Sequence, residues 1–251
     1  MGAVIEARGL VKTFKSRKGV VRAVDGVSFR AEQGQITGLL GPNGAGKTTT
    51  LRMLYTLMRP EAGSILVDGL DPAREPEKVR ARLGVLPDAR GIYKRLTARE
   101  NIAYFGRLHG LDEGTIAKRI AILVEKLGME DFIDRLGEGY SQGQRTKTAI
   151  ARALIHDPPN VILDEPTNGL DVMTTRSLRD FLRSLRAEGR CVILSTHIMQ
   201  EVALLCDHIV IIAKGQVVAE GSAEELRAQA GCENLEDAFV RLIGSAEGLS
   251  A

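Results

Sequence analysis

The chain has 251 residues, 44% of them hydrophobic and 26% charged, with a formal net charge of +2 from 34 basic and 32 acidic residues. It is long for one domain, short for two, and ample for a buried core. Its near-balanced charge lacks the basic excess of nucleic-acid binders, so no nucleic-acid partner is expected. No apolar run approaches the roughly 18 residues of a membrane helix, so a membrane role would need a partner that spans.

Taken in order, the first dozen residues carry Glu6, Arg8 and Lys12, which interrupt any apolar leader core, and no secretory signal is expected. The N-terminal third reads as β-rich, with short segments at 4–7, 20–23 and 27–30 separated by glycines, and a basic turn at 16–19. Residues 36–40 form an apolar strand that runs straight into a Gly-rich loop. From about Thr97 to His156 the pattern turns helical: Thr97 and Glu100 fit a capping box, and Ile116, Ile120, Leu123 and Leu127 share one face. Strands return at Val161-Ile162-Leu163, at 192–194 and at 209–212, with an amphipathic helix on Leu178, Phe181, Leu182 and Leu185 between the first two. Strands alternating with helices predict a parallel sheet in an α/β fold. From Ser222 the tail reads as two short helices, with Leu235, Ala238, Phe239 and Leu242 on one face. Cys191, Cys206 and Cys232 form no CxxC pair; the first two are expected in the core, and this usage fits a reducing cytosol.

The chemistry concentrates in four segments. Gly41, Pro42, Asn43, Gly44, Ala45, Gly46, Lys47 and Thr48 fit GxxxxGK[ST], after a strand and before a helix expected over 49–57. In such a loop glycines let backbone N–H groups curl around phosphates, the helix N-terminus adds positive potential, Lys47 reaches the β- and γ-phosphates, and the Thr48 hydroxyl meets Mg²⁺. A Gly-rich turn that merely precedes a helix is the competing reading. At the end of strand Val161-Ile162-Leu163 stand Asp164, suited to Mg²⁺, and Glu165, placed to take a proton from an attacking water. Ser141 and Gln144 satisfy a capping box for the helix expected near Arg145; the same Ser and Gly143 beside free N–H groups make an anion site. His197 follows strand 192–194, at the end where α/β sheets hold ligands.

In order and spacing these segments resemble the ATPases of the ATP-binding-cassette (ABC) family, over about residues 5–230. Residues 41–48 are similar to the family's Walker A, Ser141-Gln142-Gly143-Gln144 to its signature, Asp164 to Walker B, Asn168-Gly169-Leu170-Asp171 to the D-loop and His197 to the H-loop; Phe14 falls where the family stacks an aromatic on adenine. The resemblance implies a single P-loop domain with a mixed or parallel core sheet. Residues 1–96 and 157–220 would form the core with its antiparallel β part, 97–156 a helical signature subdomain, and 221–251 a helical tail. It also implies ATP and Mg²⁺ as ligands, Thr49 beside the phosphates, and a head-to-tail homodimer. Each ATP would lie between one P-loop and the other subunit's Ser141 and Gly143, with Glu165, His197 and Lys47 catalytic. Closure would push on a separate membrane permease through a groove beside the helical subdomain, at the cytoplasmic face.

Two positions depart from the family pattern. Gln142 stands where Gly is usual, and Asp88 where Gln is usual. A carboxylate is a hard-cation ligand, so Asp88 is expected to bind Mg²⁺ and sense the reaction, its charge offset by the metal or by Arg90. Residues 87–91, 95–101 and 141–147 look like the sodium-export (NatA-type) subgroup. The alternatives are an exporter of drugs, antibiotics or lipids, and a soluble ABC ATPase without transport. A GTPase is disfavoured because NKxD is absent, and a non-hydrolysing regulator because Glu165 is present.

Overall fold

The computed structural model describes residues 3–16, 19–88 and 91–246. Arg17 and Lys18 of the expected basic turn, and Arg90 beside Asp88, lie outside the described residues.

Two sheets carry the fold. The smaller is antiparallel: β1 (Ala3–Ser16) pairs with β2 (Gly19–Glu32) on one side and with β4 (Ala62–Val67) on the other. The segments expected at 20–23 and 27–30 are one continuous strand, β2. Gly26 at φ 77° and several register shifts against β1 bend it without breaking the pairing, which is why the sequence looked interrupted. The larger sheet comprises β3 (Ile36–Leu40), β5 (Leu83–Leu86), β6 (Asn160–Asp164), β7 (Cys191–Thr196), β8 (His208–Ala213) and β9 (Gln216–Gly221), in the order β5-β6-β7-β3-β8-β9. All neighbours are parallel except the edge pair β8–β9. The expected parallel sheet is therefore present, with β5 and β9 added to the strands read from the sequence, as β4 is in the small sheet.

The two faces of this sheet bury different cores, as a period of two dictates. Val161 and Leu163 of β6 and Val192 and Leu194 of β7 face one cluster, with Ile102, Ile150, Leu178 and Leu182. Ile162 and Ile193 face the other, which reaches Ile5, Leu10, Val27 and Phe29 of the small sheet and Leu51 after the P-loop. Full burial of each such side chain contributes about 1.5–3 kcal/mol. Cys191 is 1% exposed, and burial pushes its thiol up to about 12. Cys206 packs against β3: a Cβ added at Gly38 would come within 2.7 Å of its Sγ.

Helices fill both sides: α1 (Lys47–Leu54), α2 (Pro76–Ala81), α3 (Ala98–Leu108), α4 (Glu113–Leu127), α5 (Gln142–Leu154), α6 (Val172–Ala187), α7 (Met199–Leu205), α8 (Ala223–Ala230) and α9 (Leu235–Ala246). Residues 97–156 hold α3, α4 and α5, and the Thr97–Glu100 capping box is formed at α3. The face Ile116, Ile120, Leu123 and Leu127 is buried, as is Leu178, Phe181, Leu182 and Leu185 of α6. In the tail, Leu235 and Ala238 are buried and Phe239 and Leu242 pack beside them. Two helix starts differ from expectation. α1 begins at Lys47 rather than Thr49, because Gly46 in the left-handed region turns the loop directly into it, and it stops at Leu54. α5 begins at Gln142 rather than near Arg145, because Ser141 is its N-cap. Among the described residues no helix is long and apolar enough to cross a membrane.

Candidate nucleotide site

The loop from β3 to α1 is shaped by what its glycines avoid. A Cβ at Gly41 would lie 2.1 Å from the Ile212 carbonyl oxygen, and one at Gly46 (φ 106°) 2.3 Å from that of Ala23. The loop is thus pinned between β8 and β2, and α1 starts with neither a side-chain cap nor an acidic residue in its first turn. An uncapped, uncompensated helix N-terminus is suited to an anion. Lys47 is only 5% exposed; its Nζ donates to the carbonyls of Gly41 (2.7 Å) and Pro42 (3.2 Å) and pairs with Glu165 Oε1 at 3.5 Å. A buried ammonium needs such partners, and these hold it at the mouth of the loop.

The ends of β6 and β7 supply the acids. Asp164 is fully buried; its Oδ1 accepts hydrogen bonds from Ser195 Oγ (2.5 Å) and Thr48 Oγ1 (3.1 Å), while Oδ2 is buried with no hydrogen-bond partner among the described residues. Burial raises its pKa, the hydrogen bonds from Ser195 and Thr48 oppose that, and the charges of Asp88 and Glu165 add to the rise. Glu165 turns the chain at φ 48°, and its N–H donates to the carbonyl oxygen (3.2 Å) and Oγ (3.1 Å) of Ser195. That turn sends its carboxylate between Lys47 and His197, with Oε2 at 3.0 Å from His197 Nδ1. An acid held between a cation and an imidazole, next to a metal-competent aspartate, is placed so that it could take a proton from water.

An open cleft of about 530 Å³ runs across these groups. Asn43 to Thr49, Phe14, Asp88, Glu165 and His197, all expected at the site, line it. Phe14 is 38% exposed, so its ring is a wall of the cleft rather than core packing. Ala23 and Arg52 also line it and were not anticipated. Ser195 was missed too, although its place opposite Asp164 in the β6–β7 register was a signal that strand pairing could have supplied. Residues 141–144 are not part of the cleft wall: Ser141 Oγ accepts from the Gln144 N–H (3.2 Å), Gln144 Oε1 accepts from the Ser141 N–H (3.1 Å), and the pair caps α5. Gly143 sits against α6, where a Cβ would meet Thr174 Cγ2 at 3.0 Å.

Asp164 with its orphaned oxygen, the Thr48 hydroxyl and Asp88 form a set of hard oxygen donors fit for Mg²⁺. A pinned Gly-rich loop, a buried Lys, and a strand-end Asp–Glu pair on a mostly parallel sheet define a P-loop nucleotide hydrolase. Within that class the ABC transporter family model matches residues 24–168, and the chain belongs to this family as an ATP-binding, ATP-hydrolysing subunit. It is 45% identical to the ABC transporter ATP-binding protein NatA of Bacillus subtilis, over 91% of this chain and 94% of that protein. It is 40% identical to the daunorubicin/doxorubicin resistance ATP-binding protein DrrA of Streptomyces peucetius, over 90% and 68%. Among solved structures, the ATP-binding subunit of an ABC transporter superposes with a TM-score of 0.86 at 29% identity, over 96% of this chain and 99% of that one. The dimeric cassette MJ0796, in a post-hydrolysis state with ADP and Pi, gives 0.79 at 25% identity, over 87% and 98%.

Proposed function

We propose that two copies of this chain form a head-to-tail homodimer that powers an exporter, docked on a separate permease at the cytoplasmic face of the membrane. The observation that carries it is the Lys47–Glu165–His197 cluster at the mouth of the P-loop. Adenine stacks on Phe14, backbone N–H groups of 41–48 and the Thr49 region hold the phosphates, and Lys47 leaves its loop carbonyls for the terminal phosphate. Thr48, Asp164 and Asp88 would hold Mg²⁺, which when bound withdraws charge from the phosphates. Glu165 takes the proton of the attacking water, and His197 holds that carboxylate in place while facing the terminal phosphate. The partner's N-terminal turn of α5, with Ser141, Gln142, Gly143 and Gln144, covers the phosphate from across the interface. Asp88, at the end of β5, reports metal and phosphate occupancy; Asp88→Ala that left both turnover and Mg²⁺ dependence unchanged would remove it from this role.

In this reading residues 1–96 and 157–220 act as the nucleotide-holding core, 97–156 as the moving helical subdomain and 221–251 as a packed tail. A groove of about 350 Å³ lies between core and helical subdomain, with Leu57, Val85 and Pro87 on one side and Phe105, His109 and Arg152 on the other. Its apolar walls suit a helix of the permease. Export is favoured because the similar proteins are named for Nod factor export and for daunorubicin and doxorubicin resistance. The resemblance of residues 87–91, 95–101 and 141–147 to the sodium-export subgroup favours sodium as cargo, with drugs, antibiotics or lipids the second reading. Co-purification with a permease, followed by ATP-driven uptake of radiolabelled sodium into inverted vesicles, tests both. No permease would refute transport, and ATP-driven movement of a drug but not sodium would select the second cargo.

A further inference from the structure

Beside its buried face, α6 carries arginines at 179, 183 and 186, the i, i+4, i+7 spacing of a single helical stripe. All three reach α7 or the chain just beyond it. Arg179 Nε lies 3.4 Å from Glu201 Oε2, in the first turn of α7. Arg183 Nη2 donates to the Leu204 carbonyl in its last turn at 3.1 Å. Arg186 Nη1 donates to Asp207 Oδ1 at 2.7 Å, and Asp207 Oδ2 accepts from the Ile36 N–H at 2.9 Å, where β3 begins. The stripe thus grips α7 at both ends and reaches on to the strand that feeds the P-loop. Its first contact differs from the others. Glu201 is 7% exposed, and Nε and Oε2 are both buried with no hydrogen-bond partner among the described residues, so charge rather than an aligned hydrogen bond joins the pair. Burial raises the Glu201 pKa and Arg179 opposes that rise. A buried pair of this kind adds little net stability, because desolvation offsets the attraction, and its best-attested use is to fix register.

The register in question is that of the site. Glu165 and His197 meet at 3.0 Å, and each leads into one of these two helices. After Glu165, the Asn168 N–H donates to the Glu165 carbonyl at 3.2 Å and the Leu170 N–H to the Thr167 carbonyl at 3.1 Å, and these turns deliver the chain to α6. After His197, the Ile198 N–H donates to Thr196 Oγ1 at 3.0 Å and the Glu201 N–H to the Ile198 carbonyl at 3.1 Å. Glu201 therefore belongs to a turn that starts beside His197. We propose that Arg179, Arg183 and Arg186 are positioning residues for hydrolysis: by locking α7 onto α6 they fix the approach of His197 to the Glu165 carboxylate. A shift of α7 along α6 would carry His197 with it while Glu165 stays with α6. Contacts spread along the length of α7 oppose both sliding and tilting, which one contact could not do.

The inference rests on the reading of Glu165 and His197 as the pair that handles the proton. The chain has four His, so carbon-13 labelling of the imidazoles gives four ring signals from the full chain by NMR, and His197→Gln identifies one of them. Glu165→Gln marks where that signal moves once the carboxylate is gone. In Arg179→Met the His197 signal should move toward the same position while those of His109 and His156 stay. Steady-state phosphate release should show kcat lowered about tenfold with KM for ATP unchanged, as lost alignment at the reacting centre predicts. Arg179→Met alone leaves Glu201 buried without its partner, so a second variant, Arg179→Met with Glu201→Met, replaces the whole pair by apolar side chains. It should unfold in urea no earlier than the wild type, with the His197 signal still displaced. A His197 signal in its wild-type place in that double variant, or an unchanged kcat in it, overturns the proposal and marks the arginines as packing residues. If Glu165→Gln itself left the His197 signal unmoved, the pairing beneath the proposal would fall instead.

Discussion

Ser195→Ala isolates the contact that holds the buried aspartate. In the wild type Ser195 Oγ donates to Asp164 Oδ1 at 2.5 Å and accepts from the Glu165 N–H at 3.1 Å. The Glu165 N–H keeps a second acceptor, the Ser195 carbonyl oxygen at 3.2 Å, so the loss falls mainly on Asp164. A hydrogen bond to a charged group is worth about 1.5–3 kcal/mol, and one to a neutral group about 0.5–1.5. Asp164 has a raised pKa, so its ionisation opposes folding: the burden is full above the raised value and vanishes below the ordinary carboxylate range. The variant should therefore lose about 1.5–3 kcal/mol in urea unfolding at neutral pH and roughly half of that near pH 4. The difference between variant and wild type at each pH cancels the other carboxylates. A loss below about 0.5 kcal/mol, or one that does not shrink with acid, would refute the assignment of that contact to an ionised Asp164.

Glu165→Gln should bind ATP, accumulate as a dimer and turn over at least about 100-fold more slowly, as loss of a general base requires; steady-state phosphate release and gel filtration read both. His156 supplies a pH signature away from the cleft. Its ring stacks on His109 at 3.7 Å, its Nε2 lies 3.1 Å from the Leu83 carbonyl, and burial, with help from His109 and Arg119, lowers its pKa from 6.5 to about 4. The folded imidazole stays neutral where the unfolded one protonates, so stability present above pH 6.5 is lost as pH falls toward 4. At about 1.4 kcal/mol per pKa unit, discounted for partial exposure, the loss is about 2 kcal/mol. His156→Phe should keep the stack and flatten that part of the unfolding profile; an unchanged slope would place the titration elsewhere.

The parts legible in the sequence are those set by local rules. The P-loop, the strand-end pair Asp164–Glu165 and the Thr97 and Ser141 caps follow from residue type and short spacing, and each stands where the pattern put it. What escaped was fixed by distant partners. β4 shows three exposed residues in succession and becomes a strand only by pairing with β1. β5 is four residues long and is defined by lying beside β6; the chain that leaves it puts Pro87 on the groove wall and Asp88 in the cleft. Arg52 and Ser195 carry no motif; the first is aimed by one helical turn from Thr48, the second by its register with Asp164.

The hardest residue to read was Ser141, because a helix cap and a phosphate contact use the same atoms. Electrostatics separates them. The capping boxes at α3 and α8 place Glu in the first turn, Glu100 in one and Glu224 and Glu225 in the other, whereas α5 closes its box with Gln144 and has no acid in that turn. Glutamate would stabilise the helix more, by about 0.3–1 kcal/mol through the macrodipole. Neutral Gln144 forgoes this and leaves the N-terminus positive, which in the proposed dimer would serve an anion rather than the helix. Gln144→Glu should then preserve the capping box and leave thermal stability equal or slightly higher. ATP-driven dimerisation and turnover should fall at least about tenfold, since a carboxylate facing phosphate across the interface costs more than about 1.4 kcal/mol. Light scattering with ATP in the Glu165→Gln background reads the dimer directly. If the doubly substituted chain dimerised as tightly as the single variant, Ser141 and its neighbours would be a cap and nothing more.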